Sequence, residues 1–579
     1  MRPAAAVLPA PAIRWPRLPL SWILLGLLFA GIVFLTAYPT ALVLINSFRV
    51  SKPGEPAVWG LSSWVDAFAD ASVVRALGNT FLLASIRIAL ATVLSIVFAW
   101  IITRTDTPFR GGIEFMLWLG FFFPQLPMVL GWIMLLDPQF GLLNAAFKQL
   151  LHLSAMPFSI YSFGGIVWAQ LAFSTSIRFL LITPAFRAMD AALEEAGRVS
   201  GATMLTTLRR VTVPVLMPAI LASFALGFIR SLQSFETEMV LGIPVNIYVF
   251  STKIWDLIHW EPPKYGPATA LSSVFLLGIF LMVWLQRMAL RNRQFTTVSG
   301  KSYSVRRVRL GHWRWLTLGF SLSWIAVMIL LPLAFLIMGT FMRLFGFFDV
   351  DHAWTLQHWQ SAFDDPVFLG SLRNTLVLGV GAGLGGAALT TLLSYAIIRA
   401  RFAGRGLLDF LAWLPWALPG VLLGLAMLWA FVGVPGLRLL YGTIWLLILA
   451  IVIAQMPLGT QVLKASMRQI GQDLEESAWT NGASRPRAVR SVLLPLLLPA
   501  SVTVALIIFI EALRDIPTIV FLVSSGSRTL SILMLDYIAA AELEKAVVLG
   551  VFITVLIVIA AGIGRLFLGS RLAPGSHAG

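Results

Sequence analysis

The chain has 579 residues, of which 58% are hydrophobic and only 12% charged; no water-soluble fold can wet its outer face with so little polar surface. Its formal net charge is +16, but the basic residues sit in short loops between apolar runs rather than in a stripe with stacking aromatics, which excludes nucleic acid. With no cysteine, disulfides, thiolate metal sites and cysteine nucleophiles are excluded too. The composition implies an all-α, polytopic membrane protein with the lipid bilayer as its solvent.

Arg2, Arg14 and Arg17 precede an apolar run over 20–46. That run is too long for the core of a cleaved signal peptide, so it is expected to stay as a first span with a cytoplasmic N-terminus. Further spans are predicted at 78–103, 113–136, 162–185, 213–232 and 267–286, then at 316–340, 374–398, 407–433, 441–463, 493–513 and 546–568. The third is interrupted by Pro124 and Pro127. About twelve helices of bilayer-crossing length result.

Lys and Arg set the orientation. Arg104 and Arg110 lie between spans two and three, and Arg187, Arg198, Arg209 and Arg210 between four and five. Arg287, Arg291, Arg293, Lys301, Arg306, Arg307 and Arg309 follow span six. In the second set, Arg399, Arg401 and Arg405 recur at the matching place, as do Arg485, Arg487 and Arg490. All these loops are cytoplasmic if the N-terminus is, and the C-terminus then is as well.

The two sets are copies. Leu77-Gly78-Asn79-Thr80 opens span two and Leu372-Arg373-Asn374-Thr375 opens span eight, an offset of 295 (374 − 79) that also relates Arg104 to Arg399 and Pro124 to Pro419. Leu193-Glu194-Glu195-Ala196-Gly197, Gly201 and Val213-Pro214 match Leu474-Glu475-Glu476-Ser477-Ala478, Gly482 and Leu494-Pro495 at an offset of 281 (476 − 195). The loop after the third span is therefore shorter in the second copy. Copies with an even number of spans point the same way, whereas inverted repeats need an odd number. The division expected is a first repeat over 1–290, a basic linker over 291–315 and a second repeat over 316–579, with a pathway between the repeats.

The polar segment repeated at 281 lies on the cytoplasmic side. Asp190 or Asp473 opens a short amphipathic helix at its N-terminal, anion-favouring end. Gly201 or Gly482 permits a sharp turn, and a second short helix ends towards Pro214 or Pro495, each tolerated in the first turn of the next span. These segments resemble the "EAA" loop of bacterial ABC-importer permeases: Glu195-Ala196-Gly197, Gly201, Val211 and Val213-Pro214, then Glu476-Ser477-Ala478, Gly482, Val492 and Leu494-Pro495. The resemblance implies coupling helices that dock on ATPase subunits, two copies in all, through Glu195, Ala196, Gly201 and Arg209 and through Glu476, Gly482 and Arg490. It also implies a bacterial inner-membrane location and an extracytoplasmic solute-binding protein as a further partner.

No ATPase of its own is expected. Gly300-Lys301-Ser302 lacks the first glycine of a phosphate loop, Phe295 standing there. Gly381-Ala382-Gly383-Leu384-Gly385-Gly386 falls inside a span, where small residues allow close packing. No metal cluster or catalytic constellation is evident, so the reading is a transport subunit without a bound cofactor, driven by ATP that its partners use. Charged and polar residues at the outer ends of spans five and eleven are candidates for the pathway: Arg230, Gln233, Ser234, Glu236 and Glu238, and Glu511, Arg514 and Asp515. Arg230 and Glu511 are equivalent (511 − 230 = 281) and either face each other as a gate or pair locally. The stretches 234–244 and 513–517 resemble those of fused iron(III)-type permeases, a branch with thiamine and phosphonate relatives. This points to iron(III) or a related small solute. The rival reading is a secondary transporter or channel working without an ATPase.

Overall fold

A computed structural model describes residues 20–51, 56–291, 308–348, 350–400 and 402–569. Arg2, Arg14, Arg17, Arg293, Arg401 and most of the linker, Gly300-Lys301-Ser302 and Arg306-Arg307 included, lie outside the described residues.

The helices run in chain order as α1 Trp22–Asn46, α2 Ser62–Ala69, α3 Ala71–Arg104, α4 Arg110–Phe122, α5 Gln125–Leu136 and α6 Leu142–Leu150. There follow α7 Phe163–Ala188, α8 Ala191–Val199, α9 Met204–Leu232, α10 Glu236–Leu241, α11 Phe250–His259 and α12 Tyr265–Met282. The order then recurs as α13 Trp313–Gly339, α14 Gln357–Asp364, α15 Pro366–Ile398, α16 Arg405–Ala417 and α17 Gly420–Gly433. It closes with α18 Ile444–Gln469, α19 Asp473–Thr480, α20 Pro486–Arg514, α21 Leu530–Ala539 and α22 Leu543–Gly564. Among the described residues, 10 helices are long and apolar enough to cross a membrane, or up to 12 if each bent pair counts as one span. Helix α6 has no helical counterpart beyond the short turn Leu437–Leu440, which accounts for the smaller offset after the third span.

Two expectations are corrected. The third spans, placed at 113–136 with an interruption at its prolines and at 407–433 with none noted, are each a bent pair: α4 and α5 meet at 103°, α16 and α17 at 114°. Pro124 and Pro419 sit at these breaks with extended ψ of 134° and 143°, because proline lacks the N–H that would continue the helix and forces its predecessor out of the helical region. Secondly, Pro214 and Pro495 do not open a new span. Helices α9 and α20 run through them, because the preceding turn widens to π geometry: Val213 N–H bonds Leu208 O and Leu494 N–H bonds Val489 O. One wide turn makes room for the ring.

The first span of each copy lies on the other copy, α1 on α17 and α13 on α5. Within a copy α3 packs on α7 and α9, and α15 on α18 and α20. The glycine run of α15 serves that packing, as expected: a Cβ on Gly383 would stand 2.8 Å from the Ala505 carbonyl oxygen. Backbones approach this closely only where side chains are absent. The end carrying α8 and α19, assigned to the cytoplasm by the arginine pattern, is called inner below.

Candidate functional site

At the inner end, α8 and α19 form the first arm of each repeated loop. Gly201 and Gly482 then turn the chain at φ of +85° and +84°, a region costly for residues with a Cβ. Glu195, Ala196, Gly201 and Arg209 are exposed, as are Glu476, Gly482 and Arg490.

The neighbouring glutamates, which sequence reasoning passed over, are buried. Glu194 stands 3.7 Å from Arg104 Nε and accepts the Thr212 hydroxyl at 2.7 Å. Glu475 stands 2.9 Å from Arg399 Nε, an ion pair rather than an aligned hydrogen bond. Both arginines sit where the second span of a copy ends, and each also caps the fourth. Arg104 Nη2 donates to Phe186 O at 2.8 Å and Met189 O at 2.7 Å, and Arg399 Nη2 to Ile470 O at 2.7 Å. Met189 and Ile470 are equivalent (470 − 189 = 281). A guanidinium at a helix C-terminus satisfies orphan carbonyls and the helix dipole together. Each loop is thus clamped to spans two and four by one arginine.

At the other end, the fifth span of each copy reaches across to the broken third span of the other. Gln233 Nε2 donates to Trp416 O at 3.0 Å. Its equivalent, Arg514, donates through Nη1 to Phe121 O at 3.0 Å and to Phe122 O and Phe123 O at 3.5 Å. Phe121 and Trp416 are themselves equivalent (416 − 121 = 295). The breaks at Pro124 and Pro419 leave carbonyls without helical donors, and the opposite copy supplies them.

Arg230 and Glu511 form no ion pair with each other. Glu511 pairs with Arg514, one turn along α20, and Arg230 lies 5.3 Å over the Trp416 ring. The nearer partner wins, since residues three apart share a helix face. Glu236, in the first turn of α10, stands within the fields of Asp515, Arg514 and Glu511, and Asp515 accepts both the Thr518 N–H and hydroxyl at 2.9 Å. Arg514→Leu should weaken the cross-copy contact by about 1.5–3 kcal/mol, the worth of a charge-assisted hydrogen bond. Spin labels on the exposed turns at Val245→Cys and Ser525→Cys should report a longer, broader distance in that variant.

Ser234 belongs to a third cluster, confined to the first copy. Arg87 Nη1 lies 3.0 Å from Glu238 Oε1, and Gln170 Nε2 lies 3.0 Å from Glu238 Oε2 and 2.9 Å from Ser234 Oγ. Arg87 also donates to the Ser231 hydroxyl and carbonyl, each at 2.7 Å. The equivalents of Arg87, Gln170 and Glu238 are Ala382, Ile451 and Ile519. An arginine and a glutamine inside apolar spans were the available signal for this cluster.

Comparison with known proteins is consistent across most of the chain. Residues 379–573 match the family of binding-protein-dependent transport system inner membrane components. The ferric transport system permease protein FbpB of Actinobacillus pleuropneumoniae is 27% identical over 535 residues, covering 90% of this chain and 74% of that protein. The Fe(3+)-transport system permease protein FbpB 2 of Haemophilus influenzae is 24% identical, covering 68% and 74%. The sulfate transport system permease protein CysT of Salmonella typhimurium is 29% identical over 215 residues, 36% of this chain and 74% of its own length.

Proposed function

We propose that this chain, a permease of the binding-protein-dependent transport inner-membrane component family, forms the whole translocation unit of an ATP-driven importer. Its repeats over 1–290 and 316–579, joined by the linker 291–315, stand for the two permease subunits such a system needs. One ATPase docks under α8 through Glu195, Ala196, Gly201 and Arg209, and a second under α19 through Glu476, Gly482 and Arg490. The observation carrying this reading is the duplication of the inner loops, with the same turn and the same arginine clamp in each. Both termini then face the cytoplasm, and a solute-binding protein delivers its load to the outer end. ATP is bound and hydrolysed by the partners.

Arg230, Gln233, Ser234, Glu236, Glu511, Arg514 and Asp515 line the outer gate in this reading. The gate is closed by the cross-copy bonds of Gln233 and Arg514. Iron(III) is the solute favoured, because the relatives named for ferric transport match across both copies whereas the sulfate permease matches about one.

Reconstitution tests the proposal. Liposomes holding the chain, its ATPase and its binding protein should take up iron(III) only with ATP inside the cytoplasmic compartment. Uptake driven by an ion gradient, with no ATPase bound, would establish the secondary-transporter reading instead.

A further inference from the structure

The Asn-Thr pair that opens spans two and eight has no part in the docking loops or the gate, yet it recurs with its spacing kept. In the structure Asn79 Nδ2 donates to Tyr248 O at 2.9 Å, and the Thr80 hydroxyl accepts the Phe250 N–H at 2.8 Å. In the second copy Asn374 Nδ2 donates to Arg528 O at 2.9 Å, and the Thr375 hydroxyl accepts the Leu530 N–H at 2.8 Å. Phe250 and Leu530 are the first residues of α11 and α21, so each threonine caps an orphan donor of a short outer helix from outside that helix. Both threonines are buried, and each hydroxyl also donates to the carbonyl four residues back. A single hydroxyl does both jobs; a methyl can do neither.

The next residue of each outer helix continues the chain of contacts. Ser251 Oγ donates to Ser234 O, and Ser531 Oγ to Asp515 O at 3.0 Å. Ser234 and Asp515 directly follow Gln233 and Arg514, the two residues that bind the opposite copy. The other end of the same long helix is the arginine clamp. Asn79 and Arg104 belong to one uninterrupted helix, α3, and Asn374 lies on α15, which ends at the Arg399 cap. At 1.5 Å per residue, Asn79 and Arg104 are about 37 Å apart, more than the hydrocarbon thickness.

From this we infer that α3 and α15 are struts linking each ATPase-docking loop to the outer gate. Arg104 and Arg399 hold the inner ends to Glu194 and Glu475. Asn79-Thr80 and Asn374-Thr375 hold the outer ends to α11 and α21, which bear on the links after α9 and α20 at Ser234 and Asp515. Displacement of a loop moves the strut, and the strut moves the gate residue of its own copy out of its bond with the other. Arg104, Thr80 and their equivalents are positioning residues: they touch neither solute nor nucleotide. The inference rests on the importer reading above.

The test uses the full complex in lipid discs, with ATPase and binding protein present. Spin labels at Val245→Cys and Ser525→Cys are clean because the chain has no cysteine of its own. Three chains are compared: the otherwise unaltered one, Thr80→Ser with Thr375→Ser, and Thr80→Val with Thr375→Val. The first two should show an ATP-dependent change in label distance. In the valine chain ATP hydrolysis should continue, the distance change should fall below half, and uptake should drop at least tenfold, because both buried hydrogen bonds of the hydroxyl are lost in each copy. Ser251→Ala with Ser531→Ala breaks the next link and carries the test if the valine chain fails to assemble. A full distance change in the valine or alanine chains overturns the strut alone. No ATP-dependent change in the unaltered chain overturns the strut and the importer reading together.

Discussion

Glu238→Ala should leave little folded protein in the membrane. Its side chain and that of Arg87 are 1% and 2% exposed, and it accepts from Arg87, Gln170 and Ser234. Removing the carboxylate strands a guanidinium in the core, which costs about 3–5 kcal/mol against a whole stability on the order of 5–15 kcal/mol. Glu238→Gln keeps the shape and one acceptor and should lose less. The second copy supplies the sharper comparison, because Ala382 and Ile519 occupy the equivalent places without charge. Arg87→Ala combined with Glu238→Ile removes both ions at once, and replacing a buried pair by apolar groups is often close to neutral. The double variant should therefore melt above Glu238→Ala in detergent, followed by size-exclusion recovery after heating. A double variant as unstable as the single one would mean that the ion pair is not the cause.

Gly201→Val with Gly482→Val should abolish uptake while leaving the bundle folded. A Cβ at either position meets nothing within 4 Å, so the substitution brings no clash with neighbours. The penalty is conformational, because φ of +85° and +84° is hardest on a β-branched residue. At about 1–2 kcal/mol for each turn, the docking affinity of each loop should fall by a factor of roughly 5–30. Two weakened loops compound the loss. ATP-driven uptake in liposomes and thermal unfolding in detergent separate the two effects: uptake lost with an unchanged melting temperature is the expected result.

Much of the architecture was readable because a bilayer dictates the length and polarity of whatever crosses it. The repeat was equally plain, since offsets of 295 and 281 need only the sequence. Pro124 marked one broken span, but how sharply α4 and α5 bend depends on what receives the freed carbonyls, and Arg514 arrives from a distant part of the chain. The extension of α9 through Pro214 was hidden because a π turn has no residue signature of its own.

In the inner loops the Glu-Glu doublets left a choice that resemblance resolved towards Glu195 and Glu476. Adjacent helical residues face about 100° apart, so only one of each pair can meet the bundle. The arginines at 104 and 399, at equivalent positions, were the clue that Glu194 and Glu475 do. Arg230 and Glu511 illustrate the limit of repeat arithmetic: equivalence brings Glu511 within the field of Arg230, yet its ion pair is made with Arg514.

One chain should dock two ATPases, one on each loop. The mass of the complex purified from a lipid disc tests it most directly. One permease chain with two ATPase chains is expected, and with Gly482→Val in one loop the second ATPase should be shed at a roughly 5–30-fold higher concentration than from the unaltered chain. A complex holding two permease chains, or a single ATPase on the unaltered chain, would contradict it.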